Sequence, residues 1–147
     1  MKDTTDEDFI RQFDINVKGV FNALRESSTI LVDNGSIINL SASINHIMLP
    51  TYGTYVATKA AVEQLNRVFS KEIGDRGINV NSVSPGTTNT ELFTFEKPQE
   101  IIDRLASLSP FNRIEEPGDI AKIVLFLASD DAKWINVQNI GGNGGMS

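Results

Sequence analysis

The chain has 147 residues, 40% of them hydrophobic and 22% charged, with 19 acidic against 13 basic side chains and a net charge of -6. That length suits one domain with a core and is too short for two ordinary ones. The acidic balance without a Lys/Arg cluster excludes a nucleic-acid footprint, the lack of cysteine excludes disulfides and thiolate metal sites, and no apolar run approaches the ~20 residues of a membrane span.

The opening MKDTTDEDF is acidic and polar, unlike a signal peptide, and predicts a cytoplasmic protein. Thr4–Glu7 fits a capping box, and Asp6 and Asp8 suit the positive end of a helix dipole. Phe9, Phe13, Val17, Val20 and Leu24 follow at helical spacing, so a helix is predicted to about Ser28. Asp33-Asn34-Gly35 marks a turn, and Ser36–Leu40 reads as a short buried strand. A second helix is predicted from about Tyr52 to Ile73, stopped by Gly74 and Gly77. Ile78–Val83 alternates at period two and reads as a strand. Pro98 opens a helix to about Leu108, and Pro117 opens another carrying Ile120, Ile123, Val124 and Leu127. Gln138–Ile140 reads as a weak last strand before GGNGG, which reads as a terminal loop. Strands alternating with helices imply right-handed crossovers and a parallel sheet covered by helices, an α/β fold.

In open parallel sheets, ligands bind beyond the carboxyl ends of the strands. The first predicted strand is followed there by Ser41-Ala42-Ser43, the second by Ser84–Thr90. The helix carrying Tyr55 and Lys59, one turn apart on one face, begins shortly after the first loop. Hydroxyls, a phenol and an ammonium are therefore expected in one crevice. An adjacent ammonium favours the phenolate, so Lys59 is expected to lower the pKa of Tyr55 from about 10. A structural role for both residues is the competing reading. His46, the one histidine, reads as a loop residue near that crevice and not a metal ligand, and Trp134 as packing.

These residues resemble the short-chain dehydrogenase/reductase family, in the catalytic half of its fold. YVATK fits the family's Tyr-x-x-x-Lys, and Ser43 lies 12 residues before Tyr55, about one short of the usual spacing, with Ser41 as competitor. Asn16 in FDINVKGVF fits the family's helix asparagine, SPGTTNT its Pro-Gly-x-x-x-Thr loop, and Glu116–Trp134 the helix before its last strand. The resemblance departs at Val137, where a glycine is usual. It implies a partial Rossmann-like, doubly wound parallel sheet, with residues 1–147 as one incomplete NAD(P)-binding domain. It implies hydride transfer between NAD or NADP and a carbonyl or alcohol substrate, with Tyr55 as acid/base and Ser43 bonding the substrate oxygen. Asn16 would hold a relay water, Lys59 the nicotinamide ribose, and Pro85, Gly86, Thr88 and Thr90 the nicotinamide end. The segment Glu91–Pro110 would cover the substrate with Leu92, Phe93, Phe95, Ile101, Ile102 and Leu105. No Gly-rich pyrophosphate turn occurs near the start. The alternative expectation is a truncated, non-catalytic fragment that oligomerises. Residues 4–28 and 52–73 form a subunit interface in the family, which implies a homo-oligomer here.

Overall fold

The structure is a computed structural model that describes residues 1–95 and 97–147. The chain starts with α1 (Asp6–Phe13), continues through one π-helical turn (Asp14–Lys18) and ends its first helical run in α2 (Gly19–Ile30). Thr5 rather than Thr4 caps α1, its hydroxyl accepting the Asp8 N–H at 3.1 Å. The run also goes two residues beyond Ser28, because Leu31 is the first residue with extended backbone. β1 (Ser36–Leu40), the short α3 (Ile44–Ile47), α4 (Gly53–Glu72), a 3-10 turn (Gly74–Arg76) and β2 (Asn79–Pro85) follow. Then come α5 (Glu91–Thr94), α6 (Gln99–Ala106), α7 (Pro117–Ala128), a 3-10 turn (Asp130–Ala132) and β3 (Asn139–Gly142). Glu116 and Asp119 form a capping box around the start of α7, with Pro117 in the first turn. No helix among the described residues is long and apolar enough to cross a membrane.

The strands pair in parallel in the order β1-β2-β3, with Ile37 opposite Val80 and Val83 opposite Ile140. Successive side chains leave the sheet on opposite faces, and each face meets its own helices. Val80 and Ile37 pack with Leu24, Phe69, Ile73 and Ile78 under α2 and α4. Val83, Ile38 and Ile140 pack with Ile120, Leu127 and Ala132 under α7. The architecture is the expected α/β one, a three-stranded parallel sheet with helices on both faces.

The period-two pattern of β2 does not separate an inside from an outside. Asn79 through Ser84 are all buried, because β2 is central and both of its faces are covered. Its polar side chains are satisfied internally, as buried polar groups must be. Ser82 accepts from Asn66 of α4 at 2.7 Å, and Asn66 in turn accepts from Asn39 of β1 at 2.7 Å. On the other face, Asn79 and Asn81 each donate to Ile135 O at 2.8 Å, and Asn81 Oδ1 accepts the Gln138 N–H at 2.9 Å.

Two further expectations are corrected. The GGNGG stretch is not simply a loop, since Gly141 and Gly142 belong to β3. A Cβ on Gly142 would lie 2.6 Å from Ile123 Cδ1, so the bare backbone lets α7 close onto the sheet. Trp134 does not pack; it is fully exposed. Val137 adopts φ 63°, a left-handed conformation that a β-branched side chain resists. The position where the resemblance leads one to expect glycine therefore has a backbone that suits glycine.

Candidate active site

A cleft of about 640 Å³ opens at the carboxyl ends of β1 and β2. Leu40, Ser41 and Ala42 from the end of β1 line it, with Tyr55 and Lys59 of α4 and Pro85–Thr88 and Thr90 beyond β2. Leu92 and Phe93 of α5, Leu105 of α6, Leu108 and Met146 add apolar wall. The convergence expected of the two loops and α4 is present. Of the apolar residues expected around the substrate, Leu92, Phe93 and Leu105 line the cleft, while Phe95, Ile101 and Ile102 do not.

Tyr55 and Lys59 lie on one face of α4, as their spacing requires. The Lys59 ammonium donates to Leu40 O at 2.9 Å and stands 5.8 Å from the centre of the Tyr55 ring. Its effect on the phenol is not the expected one. Burial pushes the Tyr55 pKa above 10, with Tyr52 adding to the rise, and burial pulls that of Lys59 below 10.5. The β1 carbonyl orients the ammonium, and desolvation outweighs its attraction for a phenolate. At neutral pH Tyr55 is thus a protonated phenol, suited to giving a proton to a developing oxyanion.

Asn16 lies in the π-helical turn, a distortion frequent at functional sites. Its Nδ2 donates to Thr58 Oγ1 at 3.1 Å, and Thr58 Oγ1 donates to Tyr55 O at 2.7 Å. Asn16 is therefore tied to the backbone of the tyrosine and does not itself line the cleft.

Ser43 does not match the role expected of it. It is fully buried, its Oγ donates to Ser84 O at 2.8 Å, and it accepts from Asn143 Nδ2 at 2.8 Å. Both bonds join it to the scaffold, and it does not line the cleft. Ser41 does line the cleft, but its Oγ donates to Glu63 Oε1 at 2.5 Å and accepts from Asn45 Nδ2 at 3.3 Å. The cleft-lining residue between them is Ala42, 13 residues before Tyr55. The structure thus places a methyl group at the usual family spacing for the serine.

The second loop is closer to expectation. Pro85, Gly86, Thr88 and Thr90 all line the cleft. Thr90 also caps α5, accepting the Phe93 N–H at 3.3 Å. Thr88 Oγ1 donates to Glu115 Oε2 at 3.2 Å, so its proton points away from any ligand. His46 is exposed on α3 and does not line the cleft. Ala42 and Met146 are among the cleft residues that sequence reasoning missed. Counting back 13 instead of 12 from Tyr55 would have found the first; no local pattern marks the second.

The donor set suits the nicotinamide-ribose end of a dinucleotide cofactor. It offers the Lys59 ammonium, the Tyr55 phenol and the polar loop Gly86–Thr90, beside an apolar wall for a flat ring; Tyr52 and Lys97 also line it. Comparison with known proteins gives the family. A family model described as enoyl-(acyl carrier protein) reductase matches residues 1–147. A short-chain type dehydrogenase/reductase of Picea abies is 38% identical over 145 residues, covering 97% of this chain and 54% of that relative. The chain belongs to the short-chain dehydrogenase/reductase family. Within it, the NADPH-dependent aldehyde reductase 2, chloroplastic, of Arabidopsis thaliana is 42% identical over 147 residues, covering 99% of this chain and 54% of the relative. The solved structure of the angucycline C-6 ketoreductase LanV with bound NADP superposes with a TM-score of 0.94 at 38% identity, covering 99% of this chain and 56% of that one. The chain spans about half the length of these short-chain dehydrogenase/reductase relatives.

Proposed function

We propose that the cleft serves reduction of a carbonyl compound by NADPH or NADH. The observation that carries this reading is the Tyr55 phenol beside the Lys59 ammonium in a cleft at the carboxyl end of a parallel sheet. A nicotinamide cofactor, when bound, supplies the hydride. Lys59 and the loop Pro85–Thr90 would hold its nicotinamide-ribose end. The substrate carbon gains the hydride, its oxygen takes the Tyr55 proton, and the product is an alcohol. The phenolate left behind is stabilised by Lys59 and recovers its proton from solvent. The Asn16–Thr58–Tyr55 connection fixes the tyrosine's turn of helix while this happens. Leu92, Phe93, Leu105, Leu108 and Met146 favour an apolar substrate. The NADP-bound ketoreductase and the aldehyde reductase among the relatives support the same direction of reaction.

The test is titration of the folded chain with NADPH and NADH, followed by nicotinamide fluorescence and then by a carbonyl substrate screen. Saturable binding is expected. Lys59→Ala should weaken it at least tenfold, and Tyr55→Phe should retain it while lowering turnover at least a hundredfold. No binding by the folded chain at millimolar cofactor would overturn the reading.

A second reading is an assembly role through α1, α2 and α4. Phe9, Ile10, Ile15, Phe21 and Ile30 are exposed on the first helical run, and Val68 on α4. Scattered exposed apolar residues are ordinary, but five in one helical run fit a subunit contact. In this reading the chain forms a homo-oligomer through residues 4–28 and 52–73. A monomer in gel filtration would remove it.

A further inference from the structure

Glu115 is a buried carboxylate that the chemistry above leaves unused. It is 7% exposed and sits between α6 and α7. Its backbone bridges to Thr88: Glu115 N–H donates to Thr87 O at 2.8 Å, and Asn89 N–H donates to Glu115 O at 2.7 Å. Its side chain then grips the same loop. Gly86 N–H donates to Oε1 at 2.8 Å, and Thr88 Oγ1 donates to Oε2 at 3.2 Å. A Cβ at Gly86 would stand 2.6 Å from Oε1, so the carboxylate holds its present position only because residue 86 lacks a side chain. Four hydrogen bonds from one residue thus hold the Gly86–Asn89 stretch, and Gly86, Thr87 and Thr88 are cleft wall.

We infer that Glu115 is a positioning residue for the cleft, its carboxylate holding Gly86 and Thr88 in the shape that receives the nicotinamide end of the cofactor. The inference rests on the reading of the cleft given under Proposed function. Its physical ground is that a carboxylate is costly to bury unless hydrogen bonds satisfy it. Here the loop's own N–H and hydroxyl satisfy it, so the loop and the carboxylate stabilise each other. No cation takes their place, because Arg113 forms its ion pair with Asp119 at 2.7 Å. The charged groups beside Glu115 are Asp119 of α7 and Arg113 before it; Gly86, Thr88, Asn143 and Met146 bring no charge. Burial raises the Glu115 pKa above 4.5, and Asp119 adds to the rise; the bonds from Gly86 and Thr88 and the charge of Arg113 oppose it. On protonation one carboxylate acceptor becomes a donor, and the grip on the loop loosens.

Glu115→Ala and Glu115→Gln in the full chain test this through amide hydrogen exchange, which needs no cofactor. In Glu115→Ala, the Gly86 protection factor should fall at least tenfold relative to amides within β1. Glu115→Gln should keep most of it, because the amide oxygen still accepts from Gly86 and its NH2 can donate to Thr88 Oγ1. In the wild-type chain, Gly86 protection should drop as pH falls through the raised carboxyl pKa, and Glu115→Gln should show no such drop. NADPH affinity should follow the same order, weakened at least tenfold by alanine and less than threefold by glutamine. Unchanged Gly86 protection in Glu115→Ala would overturn the inference. If that variant does not fold, identical pH profiles for wild type and Glu115→Gln would overturn it. A wild-type chain with protected Gly86 but no NADPH binding would instead overturn the reading of the cleft and leave the grip of Glu115 on the loop supported.

Discussion

The loops after β1 and β2 have similar compositions and different uses for them. In Ser41-Ala42-Ser43 the hydroxyls are turned into the protein: Ser41 toward Glu63 of α4, Ser43 toward Ser84 and Asn143. The cleft there meets Ser41 and the methyl of Ala42. In Ser84–Thr90 the backbone and threonines themselves form cleft wall, and the anchor comes from outside, in Glu115. The first loop is thus held by its own side chains and the second by a side chain reaching in. A hydroxyl-rich loop at the carboxyl end of a strand is therefore not automatically a set of ligand donors. Where β1 ends against two covered layers, the hydroxyls satisfy buried partners before any ligand is present.

The largest expected effect comes from Ser43→Ala. It removes the bond that Ser43 Oγ donates to Ser84 O and the one it accepts from Asn143 Nδ2, and should cost about 2 kcal/mol of stability, at about 1 kcal/mol for each hydrogen bond lost. Chemical denaturation checks this. A stable Ser43→Ala with reduced turnover would break the comparison by making Ser43 a ligand donor after all. Ala42→Ser sharpens it from the other side. If the cleft reduces carbonyls, a hydroxyl introduced here should raise kcat about tenfold or more, since one well-placed oxyanion donor is worth ~100-fold or more in established sites. Steady-state kinetics with one carbonyl substrate decide it. The smallest effect concerns the connector before β3, which is held by Asn79 and Asn81 of β2 and by its own Asn136, whose Oδ1 accepts the Val80 N–H at 2.8 Å. Val137→Gly relieves a left-handed valine and should stabilise the fold by about 1 kcal/mol, after the entropy that glycine adds to the unfolded chain is offset. Thermal unfolding measures it; a lower midpoint would show that the valine side chain contributes more than its backbone costs.

Much of the fold was legible because it depends on local signals. The periodicity of Ile120 through Leu127, the glycines after Ile73 and Pro117 at the start of α7 all act within a few residues. Tyr55 and Lys59 were legible for the same reason, since helical spacing alone places them on one face. The charge relation between them was not. It depends on Leu40 O taking the ammonium and on burial of the ring, which are contacts between distant parts of the chain. The direction of Ser43 was not legible because direction within a short loop is set by partners 41 and 100 residues away. Glu115 had no signal, as its carboxylate has meaning only once Gly86 and Thr88 are beside it. The period-two alternation of Ile78–Val83 marks a strand but not the burial of its asparagines, because both sides of that strand are inside.

The asparagines of β2 restrict which sequences can carry this fold. Asn81 accepts the Gln138 N–H and donates to Ile135 O, so its side chain behaves like a peptide group laid sideways between β2 and the incoming connector. Aspartate has the shape but not the donor, leucine has neither polar atom, and glutamine is a methylene too long for the gap. Anyone redesigning this sheet for a different core would have freedom at Val80 and Val83, where volume is the requirement. At position 81 the vocabulary narrows to a single carboxamide.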